Sequence, residues 1–172
     1  TNIGPAHLEF LGNLEGVFHE KIGLYKTFAS TENKKSFCIN SKDHYLKRLE
    51  AFPDVTPLRP AEGTDLEDRE YTLTNEGILI RLQGKPYTIV NSNLEGQHNW
   101  ENLGLSLLLL SELFPEKTDA LVTQAQSLKL PEMNRGNWVS IGKNTKLYQD
   151  AYNANPDSLK ASFQTFLAAQ KP

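Results

Sequence analysis

An α/β fold is what this sequence predicts, and three patterns predict it. Helical and strand periodicities alternate along the chain, the middle holds short alternating segments separated by Gly-containing turns, and one long apolar block reads as a buried helix. At 172 residues, 38% hydrophobic and 23% charged, the chain can fill one ordinary domain or parts of two.

Taken in order, Thr1-Asn2-Ile3-Gly4-Pro5 reads as the end of a buried strand running into a loop. Leu14, Val17, Phe18, Leu24, Tyr25 and Phe28 recur at the spacing of one helical face, so a helix is expected from about Leu14 to Phe28. Ser36 to Asn40 is a short apolar strand with Asn40-Ser41-Lys42-Asp43 as the turn behind it. His44 to Phe52 reads as a second helix stopped by Pro53. Asp54 to Asp68, with Pro57, Pro60 and Gly63, reads as a loop. A meander follows: Glu70 to Thr74, Ile78 to Gln83 and Pro86 to Asn91, the last two joined through Gly84-Lys85 as a type II′ turn. Asn99 to Leu113 is apolar nearly all round and should be a buried helix; Thr118 to Leu128 is a shorter amphipathic one capped by Thr118. Beyond the linker Leu130 to Asn134 come strands Trp138 to Ile141 and Thr145 to Gln149. The last helix has Asn155 as N-cap, Pro156 at its first position, and Leu159, Phe163, Phe166 and Leu167 as its inward stripe. A boundary is expected near residue 131.

A formal charge of −3 gives no sign of a basic, nucleic-acid-binding surface. The longest apolar block, Leu103 to Leu110, is broken by Gly104 and Ser106, too short and too interrupted for a membrane span, and no signal peptide opens the chain. The single cysteine, Cys38, lies in Phe37-Cys38-Ile39 and reads as a structural thiol in a reducing compartment. The expected location is cytoplasmic. Residue 1 is Thr, and Pro172 directly follows a helix, so the chain reads as a fragment.

Four clusters could carry chemistry, and each has an ordinary structural explanation. His7 sits in a Gly/Pro-restricted loop just past a strand, where open α/β sheets bind ligands, yet a loop histidine is commonly just solvated. Lys21 interrupts the apolar stripe of the first helix, which a snorkelling surface lysine would also do. Gly96-Gln97-His98-Asn99-Trp100-Glu101-Asn102 heads the buried helix; its amides can cap that helix or pair with an adenine edge. Asp150 follows a strand and opens Asp150-Ala151-Tyr152-Asn153-Ala154-Asn155-Pro156-Asp157-Ser158, part of which is helix capping.

Together and in this order, Asn-Ile-Gly-Pro-Ala-His-Leu-Glu, Gly-Gln-His-Asn and Asp-Ala-Tyr-Asn-Ala-Asn-Pro-Asp-Ser resemble the Mur ligase family, nearest to its members that add D-alanyl-D-alanine. The resemblance covers Thr1 to about Ala169 and is weakest across residues 52 to 80. It implies the later part of the central ATP-binding domain over residues 1–131, then the start of a Rossmann-like C-terminal domain over residues 132–172. It implies ATP and Mg²⁺ as cofactors, UDP-N-acetylmuramoyl-tripeptide and D-alanyl-D-alanine as substrates in peptidoglycan synthesis, no nucleic acid, no membrane insertion, and a monomer. By the resemblance, His7 and a CO₂-carbamylated Lys21 hold magnesium. His98, Asn99 and Asn102 belong to the motif near adenine, Arg135 reaches the phosphates, Asp150 holds the ribose, and Asn153 and Asn155 line the cleft. Two departures stand out: Lys21-Ile22-Gly23 where many members read Lys-Gly-Glu, and Asn134-Arg135-Gly136 in place of the usual Gly-Arg pairing. No Gly-x-x-x-x-Gly-Lys-Ser/Thr phosphate loop occurs; the family carries it upstream. Rival readings are a sister ligase, including one adding glutamate to folate, or a nucleotide-binding module without catalysis.

Overall fold

The computed structural model describes residues 2–5, 8–32, 36–129, 136–150 and 156–169. Residues 2–4 adopt no regular strand, although Ile3 is buried. A four-residue turn of helix, α1 (Leu8–Leu11), precedes α2 (Leu14–Ala29). Helix α2 starts where Asn13, in extended conformation, accepts a hydrogen bond from the Gly16 N–H on its side-chain oxygen at 3.0 Å. Val17, Phe18 and Tyr25 form its buried face, whereas Leu24, expected on that stripe, points to solvent.

Among the described residues seven strands form two sheets. The larger takes β1 (Phe37–Asn40), β2 (Val55–Pro60), β3 (Glu70–Leu73), β4 (Gly77–Leu82) and β5 (Lys85–Val90) in sequence order. The first three strands run parallel, and β4 and β5 are antiparallel to their predecessors. Strand β2 corrects the loop expected over Asp54 to Asp68. Its prolines hid it, and the hydrogen-bond directions explain why they are tolerated. The Leu58 carbonyl accepts from the Ser41 N–H, while the Arg59 N–H turns the other way, to the Arg69 carbonyl. Pro57 therefore faces the β3 side before β3 begins its pairing at Arg59, and Pro60 faces the β1 side after Asn40 has ended it. Neither position needs the N–H that proline lacks.

Three smaller expectations are also revised. Residues Leu46–Ala51 form a short 3-10 turn where a helix from His44 to Phe52 was expected. The β4–β5 loop is Gln83-Gly84, one residue earlier than expected, and both have positive φ (54° and 74°), which makes the turn type I′. Thr118 does not cap the fourth helix; its hydroxyl donates to the Pro115 carbonyl.

Alternation along the strands sorts the core onto two faces. Ile39 and Val55 join Val17, Phe18, Tyr25 and Leu49 under α2. Leu58, Tyr71, Ile78, Ile80, Leu82 and Ile89 pack under α3 (Gln97–Leu113). Helix α3 buries one face, through Trp100, Leu103, Gly104, Leu107, Leu108 and Ser111, rather than its whole circumference. Helix α4 (Thr118–Ala125) covers the same cluster with Val122 and Ala125. The chain then forms the two-stranded antiparallel sheet β6 (Asn137–Ile141) and β7 (Thr145–Gln149), followed by α5 (Pro156–Ala169). The inward stripe expected for α5 is corrected: Leu159, Phe163 and Leu167 are exposed, while Thr165 is buried and Phe166 meets the rings of Trp138 and Tyr148. Aromatic stacking and a glycine seat on the larger unit, rather than the aliphatic stripe, set the rotation of this helix.

Candidate functional site

The C-terminal end of β1 is the first functional corner. Asp43, in the turn behind it, accepts the Ile3 N–H on Oδ2 at 2.6 Å and the Tyr45 and Leu46 N–H groups on Oδ1 at 2.9 and 3.0 Å. One carboxylate thus caps the 3-10 turn and anchors the opening segment. Lys21, exposed on α2, donates from Nζ to the Asn2 carbonyl at 2.8 Å. Residues 2 and 3 are therefore clamped between α2 and the end of β1. His7 lies outside the described residues.

A cleft of about 790 Å³ opens at the head of α3. Gln97 and His98 line it from α3, Val90 and Asn91 from the end of β5, and Gln164 and Thr165 from α5. Gly96 makes this geometry possible. Its φ of 85° suits glycine, and a Cβ there would lie 2.7 Å from Thr165 Oγ1 and 2.9 Å from His98 Cε1. Helix α3 begins at Gln97, two residues before the expected start, and the Asn99 side-chain amide donates to the Glu95 carbonyl at 2.7 Å.

Charge is arranged around the same mouth. Lys42 pairs with Glu101, joining the turn after β1 to α3. Tyr71 is buried with its hydroxyl unpaired among the described residues, and burial, helped by the charge of Glu101, raises its pKa. Partial loss of water around the His98 ring lowers its pKa below the ordinary imidazole value, against the opposing pull of Asp150 and Glu101.

The family described as the Mur ligase middle domain matches residues 1–110. The chain belongs to the Mur ligase family. The UDP-N-acetylmuramoyl-tripeptide–D-alanyl-D-alanine ligase of Haemophilus influenzae is 28% identical over 170 residues, 94% of this chain and 35% of that protein. Among solved structures, MurF from Acinetobacter baumannii superposes with a TM-score of 0.76 at 19% identity, covering 97% of this chain and 36% of the other. MurF ligase from Thermotoga maritima in complex with ADP gives 0.68 at 24% identity, covering 97% and 38%. These structural likenesses show the fold. The chain spans about a third of the length of the proteins it matches.

Within this Mur ligase chain the anticipated residues fall in three places. His98 lines the cleft, whereas Asn99 and Asn102, also on α3, and Asp150, at the end of β7, are not among its lining residues. Lys21 stands apart, beside Asn2. His7, Arg135, Asn153 and Asn155 lie outside the described residues. Lys42, Glu95 and Thr165 also line the cleft and were not among the residues expected there. Lys42 had a signal, because it lies in the turn directly after a strand, at the sheet edge where α/β folds bind ligands. Thr165 had none: its role comes from the distant Gly96.

Proposed function

We propose that this chain carries the later ATP-binding part and the start of the C-terminal domain of a ligase that joins D-alanyl-D-alanine to UDP-N-acetylmuramoyl-tripeptide. The domain division falls near residue 131, in keeping with a family match that ends at residue 110 and with the separation of the β6–β7 sheet from the five-stranded one. The observation that carries the reading is the cleft at the Gly96-Gln97-His98 turn, walled by the end of β5 and by α5, in a chain that aligns over 170 residues with a D-alanyl-D-alanine ligase.

In the proposed reaction the tripeptide carboxylate attacks the γ-phosphorus of ATP, giving an acyl phosphate and ADP. The dipeptide amine then attacks that carbonyl and expels phosphate, leaving an amide. Asp150 accepts the ribose hydroxyls, since a strand-end carboxylate takes two donors well. His98, Asn99 and Asn102 meet the base, Arg135 offsets phosphate charge, and Asn153 and Asn155 complete the cleft wall. His7 and a carbamylated Lys21 hold Mg²⁺, which supplies charge neutralisation for the anionic reactants. The surroundings of Lys21 fit that ion: its Nζ adjoins the Asn2 carbonyl, a hard oxygen donor, and an added carbamate would present another. Among the described residues no cluster of three or more His, Cys, Asp or Glu side chains gathers.

Titrating the chain with ADP and magnesium tests the reading. Resonances of Gly96 to Trp100 and Asp150 should shift, and Asp150→Ala should weaken binding about tenfold, the loss of one or two charge-assisted hydrogen bonds. With ¹³C-bicarbonate, a carbamate ¹³C signal should appear and be absent from Lys21→Arg. The 172-residue chain should form no amide from ATP, tripeptide and dipeptide. Absence of nucleotide binding, or robust ligation by this chain alone, would overturn the respective part.

A further inference from the structure

The cleft has a wall that belongs to α5, so its width depends on what seats that helix. Gly96 is one seat, with Thr165 packed where any side chain would have to stand. The second is polar. The Trp138 indole N–H donates to Glu95 Oε2 at 2.9 Å, across 43 residues of sequence. The same indole stacks on Phe166 of α5 (5.8 Å, 24° between planes) and meets Tyr148 of β7 at 5.0 Å. Trp138 is thus gripped by the small sheet and α5 on one side and by a carboxylate on the other. Glu95 is itself held by its backbone, because its carbonyl accepts the Asn99 amide at the start of α3.

We infer that Glu95 and Trp138 are a positioning pair that seats α5 against the α3 head and so sets the width of the cleft, an inference resting on the reading of that cleft as a nucleotide site. An indole N–H is a donor only, and a carboxylate is its strongest partner, so the bond has direction as well as strength. The aromatic stack makes Trp138 rigid with respect to α5, so moving the indole moves the helix. The bond therefore acts on the site through α5, and Trp138→Phe, at a residue outside the cleft lining, reads that effect apart from any contact Glu95 itself makes with the nucleotide.

Three variants separate this role from general structural support. Trp138→Phe keeps an aromatic ring for the stack and removes the donor; Glu95→Ala removes the acceptor; Glu95→Gln keeps an acceptor oxygen. Amide exchange over residues 156–169 and 94–100 should speed about tenfold in the first two and stay near wild type in the third, with β3–β5 unchanged in all. The Trp138→Phe/Glu95→Ala double variant should be no worse than either single change, as expected of partners in one bond. ADP affinity should fall about fivefold in the same two variants and recover in Glu95→Gln. Unchanged exchange at α5, or additive effects in the double variant, overturns the pair. If ADP binds none of the proteins, the nucleotide reading falls and the exchange pattern alone decides the pair.

Discussion

The His98 ring lies against Gly96, and its partial desolvation prevails over the pull of the Asp150 and Glu101 carboxylates. Its folded pKa therefore lies below the unfolded value of about 6.5. The unfolded chain binds the proton more readily, so the stability that His98 contributes is complete above about pH 6.5 and is lost as pH falls through the lower folded value. An NMR titration of the ring should give a midpoint below about 6.5. Thermal melts of His98→Gln between about pH 7.5 and pH 5 should lose less stability than wild type. A midpoint above the unperturbed value would mean that Asp150 and Glu101 outweigh the desolvation. The motif around this residue was legible in the sequence because it is contiguous. Its partner from α5 was not, because no local pattern in residues 156–169 names Thr165 as the contact of Gly96.

Within the elements, two glycines in the sheet–helix layer bear different loads. A Cβ at Gly77, in β4, would lie 1.9 Å from the Ile89 carbonyl oxygen, an atom of the neighbouring strand's backbone. A Cβ at Gly104, in α3, would meet the side-chain ends Ile78 Cδ1 at 3.0 Å and Leu58 Cδ2 at 3.3 Å, which can rotate away. Gly77→Ala should therefore cost about 3 kcal/mol through forced backbone movement. Gly104→Ala should stay within about 1 kcal/mol of wild type, its contact strain offset by alanine's better helix propensity. Urea unfolding midpoints order the two; a Gly104 variant less stable than the Gly77 variant would contradict the packing described. Strand β2 shows where the sequence becomes hard to read. Pro57 and Pro60 are breakers by composition, and only the side to which each faces reveals that no hydrogen bond is lost. Strands β3 to β5 were legible because alternation and turn glycines act locally.

At the scale of the whole molecule, the five-stranded sheet divides two apolar clusters, and the cleft lies where the larger unit meets α5. Among the described residues no helix is long and apolar enough to cross a membrane. The α/β class and the order of the main elements follow from periodicity, whereas the seam follows from contacts between residues far apart in sequence. The rotation of α5 illustrates the difference. Leu159, Phe163 and Leu167 form the more apolar stripe, yet Phe166 and Thr165 face inward because Trp138, Tyr148 and Gly96 are there to receive them.

The change from parallel to antiparallel pairing at β3 has a kinetic consequence. Strands β3, β4 and β5 follow one another through the turns 74–76 and 83–84, so their ladders close short loops at small entropic cost. Joining β1 to β2 requires the whole 41–54 excursion to be in place. A refolding chain should then acquire slow-exchanging amides in the meander first and along Phe37–Asn40 last, in a pulse-labelling time course. The turn that positions Lys42 and Asp43 would become ordered only with that final pairing, making the corner beside Lys21 among the latest parts of the molecule to mature.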